Sequence, residues 1–213
     1  KHCDEQDPQL IKSYLNDLKV FISFWKKNPG EERLFNSQKF LLGMNKDGEQ
    51  SWYEPHQLFL DKPYLKTDLS KLPDTEMVPL SGEYKNKLPD NEVDDFVGFM
   101  KAVGVKFELN VIEAPIYFNQ EYLSLLEDSS RVSQYERSKD YTIEGLEGYL
   151  EKPSIPISRL IWNALINAGE PVAKACYRAN AKSKYKIKPS QLVCHLRDTA
   201  WIPNESGAFH KPS

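Results

Sequence analysis

Residues 37–55 read SQKFLLGMNKDGEQSWYEP, and this stretch predicts a β-hairpin. An apolar run over 39–44 comes first, and a second strand is predicted over 51–60. Between them lies the turn at 45–48, where Gly48 supplies a positive φ. The sequence therefore predicts that these two strands pair in antiparallel orientation.

The same pattern returns at the end of the chain. Residues 190–213 read SQLVCHLRDTAWIPNESGAFHKPS. Both stretches contain Ser-Gln, an apolar run, a turn with glycine, and then an aromatic residue that is followed three positions later by proline. These last two residues are Trp52 and Pro55 in the first stretch and Phe209 and Pro212 in the second. The second copy stops where the first continues into further strand residues. We therefore expect this chain to be a segment of a longer, repetitive protein.

The composition is that of a folded protein. The 213 residues carry a net charge of −3 and are 40% hydrophobic and 12% aromatic, which is typical of globular rather than disordered chains. No apolar run reaches the length of a membrane span, so no membrane partner is predicted. Three cysteines without a C-x-x-C pair favour a reducing compartment. We therefore expect a cytoplasmic protein.

Apolar residues at helical spacing occupy much of the remaining chain. They predict helices over 7–27, 91–103, 119–137, 143–151, 157–168, 171–181 and 189–198. A stretch of period two over 105–111 predicts another strand. The predicted fold class is therefore α+β, mainly helical with small antiparallel hairpins and sheets.

A polar break at 138–140 predicts a division into two lobes. Residues 1–140 would form a lobe of helix, hairpin and strand that makes up one repeat unit. Residues 141–213 would form a helical lobe that ends in the truncated second hairpin motif.

The sequence contains no recognisable catalytic or metal-binding motif. It lacks the P-loop, G-x-G-x-x-G, H-E-x-x-H and G-x-S-x-G patterns. Glu32 and Asn36 match the E-x-x-x-N pattern of gyrase-type ATPases, but the D-x-G-x-G that should hold adenine is missing. Adjacent Cys194 and His195 would point about 100° apart on a helix and could not easily share a zinc ion. We predict no catalytic residue, no metal and no cofactor in this segment, and we expect no enzymatic activity from it.

One stretch has an unusual charge. Residues 171–197 contain seven Lys or Arg and no Asp or Glu. Clustered cations interleaved with tyrosines are typical of contact with a nucleic-acid backbone. A solvated surface, or a surface that docks on an acidic neighbouring repeat, also remains open. The candidate residues for binding a partner or a nucleic acid are Arg178, Lys182, Lys184, Tyr185, Lys186 and Lys188.

The hairpin motif resembles the repeated W-x-x-P…L-D-x-P-Y stretch of large sacsin-like proteins. The first occurrence is WYEP at 52–55 followed by FLDKPY at 59–64. The second is WIP at 201–203, then Gly207 and the FHKP of 209–212. Phe99 and the VGV of 103–105 resemble the helix followed by Gly-Val that lies between two occurrences of this motif in the family. In that family an ATPase domain of the gyrase, chaperone and histidine-kinase type lies at the N-terminus of a very long polypeptide.

This resemblance implies that the chain is a downstream segment, and that any ATP and Mg²⁺ bind elsewhere in the parent protein. The matching positions are turn glycines, hairpin aromatics and prolines, so no catalytic residue is carried over. The predicted function is a non-catalytic scaffold or interaction module of a larger ATPase-linked protein. Its expected partners are neighbouring repeats of the same polypeptide or another protein. The alternative is a nucleic-acid-binding segment that uses residues 171–197.

Overall fold

The computed structural model describes residues 8–73, 76–116, 127–128, 138–177 and 186–212. Helices and small, mostly antiparallel sheets make up these residues, which confirms the α+β class. Their contacts divide the chain into two units, one that ends at Phe107 and one that begins at Glu108.

This division lies well before the boundary predicted at residue 140. The strand Asp140–Ile143 pairs antiparallel with the strand Val111–Ala114. Because that pairing joins residues from both sides of the predicted boundary in one sheet, the polar break at 138–140 lies inside the second unit. The polar residues there precede a strand rather than link two lobes.

The first unit is built around the predicted hairpin. Its elements in chain order are α1 (Pro8–Lys27), β1 (Leu41–Met44), β2 (Gln50–Tyr53), β3 (Leu58–Phe59), β4 (Val78–Pro79), α2 (Glu83–Lys87) and α3 (Asp90–Ala102). β1 and β2 form the hairpin, with Leu42 opposite Trp52. β3 pairs in parallel with β4, and β1 continues this arrangement through an antiparallel bridge between Gly43 and Leu80.

The core of the first unit joins the hairpin to its helices. Tyr14 of α1 packs edge-on against Trp52, with 4.9 Å between the ring centroids. The backbone N–H of Leu42 donates to the hydroxyl of Tyr84 on α2 at 2.7 Å. The residues buried completely around these contacts include Leu18, Leu41, Leu58, Leu60, Phe96, Phe99 and Met100. Burial of this apolar surface is the main stabilising term for the unit.

In its described residues, the second unit combines three small sheets with three helices. Its described elements are β5 (Val111–Ala114), β6 (Glu127–Asp128), β7 (Asp140–Ile143), α4 (Leu146–Glu151), α5 (Ile155–Ala168), β8 (Lys174–Tyr177), β9 (Lys186–Pro189), α6 (Gln191–Asp198), β10 (Ile202–Pro203) and β11 (Phe209–His210). β5 pairs with β7, and β9 lies between β8 and β6. An antiparallel bridge from Lys139 to Cys176 connects the two sets of strands.

Local capping explains where α5 and α6 begin. Ser154 accepts a hydrogen bond from the Ile157 N–H at 3.4 Å, and Ser190 accepts one from the Val193 N–H at 3.3 Å. Serine at this position satisfies an N–H group that has no partner within the helix. α5 ends at Ala168, and the next residue, Gly169, has a φ of 72°, which lies in the region that favours glycine.

Two predicted helices contain strands. The helix predicted over 171–181 is wrong where the structure describes it, because Glu170–Ala173 is a 3-10 turn and β8 follows. β8 pairs with β9 and is buried along most of its length, so tertiary pairing outweighs local helix propensity. In the helix predicted over 119–137, Glu127–Asp128 instead forms β6. The other residues of that prediction lie outside the described residues, as do residues 178–181.

The two hairpin turns have the same local geometry, whereas the residues that precede them form different elements. In both hairpins an asparagine accepts a backbone hydrogen bond four residues ahead, from Glu49 to Asn45 at 2.8 Å and from Ala208 to Asn204 at 2.9 Å. The glycine of each turn has a φ of 82°. The Ser-Gln residues differ, since the first pair precedes β1 and the second begins α6. The two stretches therefore share a hairpin turn rather than a whole structural repeat.

Candidate functional site

The structure describes two of the six predicted binding residues, Lys186 and Lys188, both on β9. Arg178, Lys182, Lys184 and Tyr185 lie outside the described residues. The side chain of Lys186 is exposed. In the strand register it stands opposite Tyr177 of β8 and Asp128 of β6.

Lys188 lies in the interior instead of on a binding surface. Its side chain is 4% exposed, and its Nζ is 3.5 Å from Oδ2 of Asp140, which is fully buried. The other oxygen of Asp140 accepts the Tyr141 N–H at 2.7 Å and the Gln191 N–H at 2.8 Å. Lys188 therefore belongs to a buried ion pair that connects β9 with β7 and the start of α6.

Another cation of the basic stretch, Arg197, is also accompanied by an acid. Its Nε lies 2.9 Å from one carboxylate oxygen of Asp198, and its second nitrogen lies 3.2 Å from the other. These hydrogen bonds lower the pKa of Asp198. The exposed lysines in the described part of residues 171–197 are Lys174 and Lys186. Of the four cations of this stretch that the structure describes, Lys188 is buried beside Asp140 and Arg197 lies against Asp198.

Three large apolar side chains, Ile155, Trp162 and Ile166, are exposed on the outer face of α5. These side chains are 50%, 55% and 64% exposed. Spacings of seven and four residues place them on one side of the helix. On the opposite side Ile157, Leu160, Ile161 and Ala164 are buried. α5 is thus apolar on both sides, whereas a helix on a protein surface usually has a polar outer side.

Trp162 rests on a second tryptophan that is held in place. The ring centroids of Trp162 and Trp201 lie 6.2 Å apart, with 37° between the planes. Trp201 is buried, its Nε1 donates to the Leu196 carbonyl at 2.9 Å, and its own carbonyl accepts the Ser158 hydroxyl at 2.6 Å. The contact with Trp201 restricts the orientation of the exposed Trp162 indole. Less conformational entropy is therefore lost when Trp162 is ordered in a complex.

Sequence reasoning missed the outer face of α5, although its signal is present. The helix over 157–168 was predicted from Leu160, Ile161, Ala164, Leu165 and Ala168, of which the first three are buried and the last two are half-buried. Trp162 and Ile166 fall within the same stretch but off that apolar stripe, and Ile155 precedes it. A large aromatic residue on the polar side of an amphipathic helix is the observation that would have identified the surface.

In the first unit, two ion pairs on the surface connect α1 with α3. Lys19 and Lys26 of α1 form ion pairs with Glu92 and Asp95 of α3 at 2.8 and 2.7 Å. These pairs span a surface groove of about 410 Å³. Glu92 and Asp95 therefore connect α3 with α1, and Glu92, which lies in the first turn of α3, also complements the helix dipole.

The E-x-x-x-N residue Glu32 also has a structural environment. Its Oε1 accepts hydrogen bonds from the Gly30 N–H at 3.1 Å and from the Trp25 indole at 3.0 Å. The Gly30 N–H lowers the pKa of Glu32. Glu32 lies in a 3-10 turn, Glu32–Leu34, and not in the long helix that the ATPase pattern requires. Across the described ranges, no cluster of three or more His, Cys, Asp or Glu side chains could hold a metal ion.

No protein-family model, curated protein or solved structure matches this chain. The resemblance to sacsin-like repeats therefore stays a prediction. Among the helices in the described ranges, none is both long and apolar enough to cross a membrane.

Proposed function

We propose that this chain is a non-catalytic interaction module of a larger, ATPase-linked protein, and that it contacts its partner through the outer face of α5. The observation that carries the proposal is the exposure of Trp162 between Ile155 and Ile166. Tryptophan is enriched among the residues that dominate binding energy in protein interfaces. Its support by Trp201 gives the surface the preorganisation that a binding site needs.

The buried carboxylates support a structural rather than a catalytic role. Asp140 accepts two backbone N–H groups and pairs with Lys188. In the first unit, Asp61 accepts hydrogen bonds from Ser70 and from further backbone N–H groups. Carboxylates that hold several backbone donors stabilise loops and helix starts, while a general acid or base needs access to substrate.

The hairpin resemblance favours a neighbouring repeat of the same polypeptide as the partner. The proposal is tested by producing such a repeat as a separate chain and measuring its affinity for this one by calorimetry. Trp162→Ala should weaken binding by at least about 2 kcal/mol, or roughly 30-fold in Kd. Leu34→Ala is the matched control, since Leu34 is also 55% exposed but lies in the first unit.

Two results would count against the proposal. Equal effects of Trp162→Ala and Leu34→Ala would show that the outer face of α5 is not the contact surface. Stoichiometric binding of MgATP to this chain in the same calorimeter would contradict a non-catalytic module whose nucleotide site lies elsewhere in the parent protein.

Nucleic-acid binding is the second candidate function. The observation that favours it is the exposure of Lys174 and Lys186 on the adjacent strands β8 and β9. The burial of Lys188 removes one lysine from the candidate surface. Acids at Asp140 and Asp198 lie close to other cations of the stretch, so we rank this function below the interaction module.

A further inference from the structure

We draw no further inference here: the strongest candidate, the apolar groove of about 680 Å³ in the first unit between the β1–β2 turn and residues 70–73 and 76–79, carries nothing, because nothing among the described residues shows what would cover it.

Discussion

The ammonium of Lys188 lies 3.5 Å from the carboxylate of Asp140, and both side chains are almost completely buried. Asp140 also accepts the N–H of Gln191, the first residue of α6. One carboxylate therefore connects two strands and a helix of the second unit. Charges taken out of water are stable only when paired and hydrogen-bonded, so this contact should be among the most sensitive positions in the unit.

Removal of the Asp140 carboxylate should strongly destabilise the second unit. Asp140→Ala deprives buried Lys188 of this counter-charge, and we expect the free energy of unfolding to fall by about 3–5 kcal/mol. The measurement is urea unfolding followed by tryptophan fluorescence, in which Trp162 and Trp201 report on the second unit and Trp25 and Trp52 report on the first. Asp47→Ala in the exposed β1–β2 turn is the control and should change stability by no more than about 0.5 kcal/mol.

A double variant separates the ion pair from simple packing. Asp140→Asn combined with Lys188→Met should recover part of the loss, because the amide oxygen can still accept the Tyr141 and Gln191 N–H groups while no buried charge is left without its partner. If Asp140→Ala were as mild as Asp47→Ala, the pair would have no stabilising role.

The lowered pKa of the Asp61 carboxyl predicts how the stability of the first unit depends on pH. Burial alone would raise its pKa, but hydrogen bonds from the Ser70 hydroxyl and N–H, and from the N–H of Lys62 and Asp68, outweigh burial and lower the pKa. In the unfolded chain the pKa of an aspartate carboxyl is about 3.9. The stabilisation is therefore complete above that pH and is lost as the pH falls through the lower pKa of the folded state.

The test compares the pH dependence of unfolding in two proteins. Urea midpoints of the wild type between pH 7 and pH 3 should fall at the acidic end, and Asp61→Asn should show a shallower fall. Asp61→Asn should also be less stable at pH 7 by about 1–3 kcal/mol, since an amide NH₂ would face buried donors. Parallel curves for the two proteins would show that Asp61 does not contribute to the acid sensitivity.

Gly43 is required by close packing in β1. A Cβ at this position would lie 2.6 Å from Cδ2 of Leu58 and 2.8 Å from Cδ2 of Tyr53. Gly43→Ala should therefore destabilise the first unit by about 1–3 kcal/mol through overpacking. Gly148→Ala in α4 is the matched control, because no neighbour lies within 4 Å of its Cβ position. That change should be neutral or stabilise by up to about 1 kcal/mol, and equal losses in thermal unfolding would contradict this account.

The elements that were predicted correctly carry their signals within a few residues. The turn at Asn45 and Gly48 specifies the first hairpin, and α3 begins and ends within one residue of the predicted bounds. The strand predicted over 105–111 failed because only Lys106 pairs, through a bridge to Phe59, before β5 begins at Val111. Strand pairing between distant residues has no local signature, so period-two alternation alone could not place that strand.

The candidate site was harder to predict for the same reason. Lys186 and Lys188 look equivalent in the sequence, yet one is exposed and the other is buried beside Asp140. That difference depends on a strand nearly fifty positions earlier in the chain. Trp162 was within a correctly predicted helix, but its exposure follows from how α5 packs, which local periodicity leaves open.

Charge reversal on β8 and β9 tests the nucleic-acid alternative. If the exposed lysines contact phosphates, Lys174→Glu combined with Lys186→Glu should abolish binding of labelled single-stranded DNA or RNA in fluorescence anisotropy. In the wild type, the logarithm of affinity should fall with the logarithm of salt concentration by about 0.7 per phosphate contact. Lys46→Glu reverses an exposed lysine in the first unit and should leave binding almost unchanged. A flat titration of the wild type at low salt would exclude this function, and equal losses from Lys46→Glu would place the binding surface elsewhere.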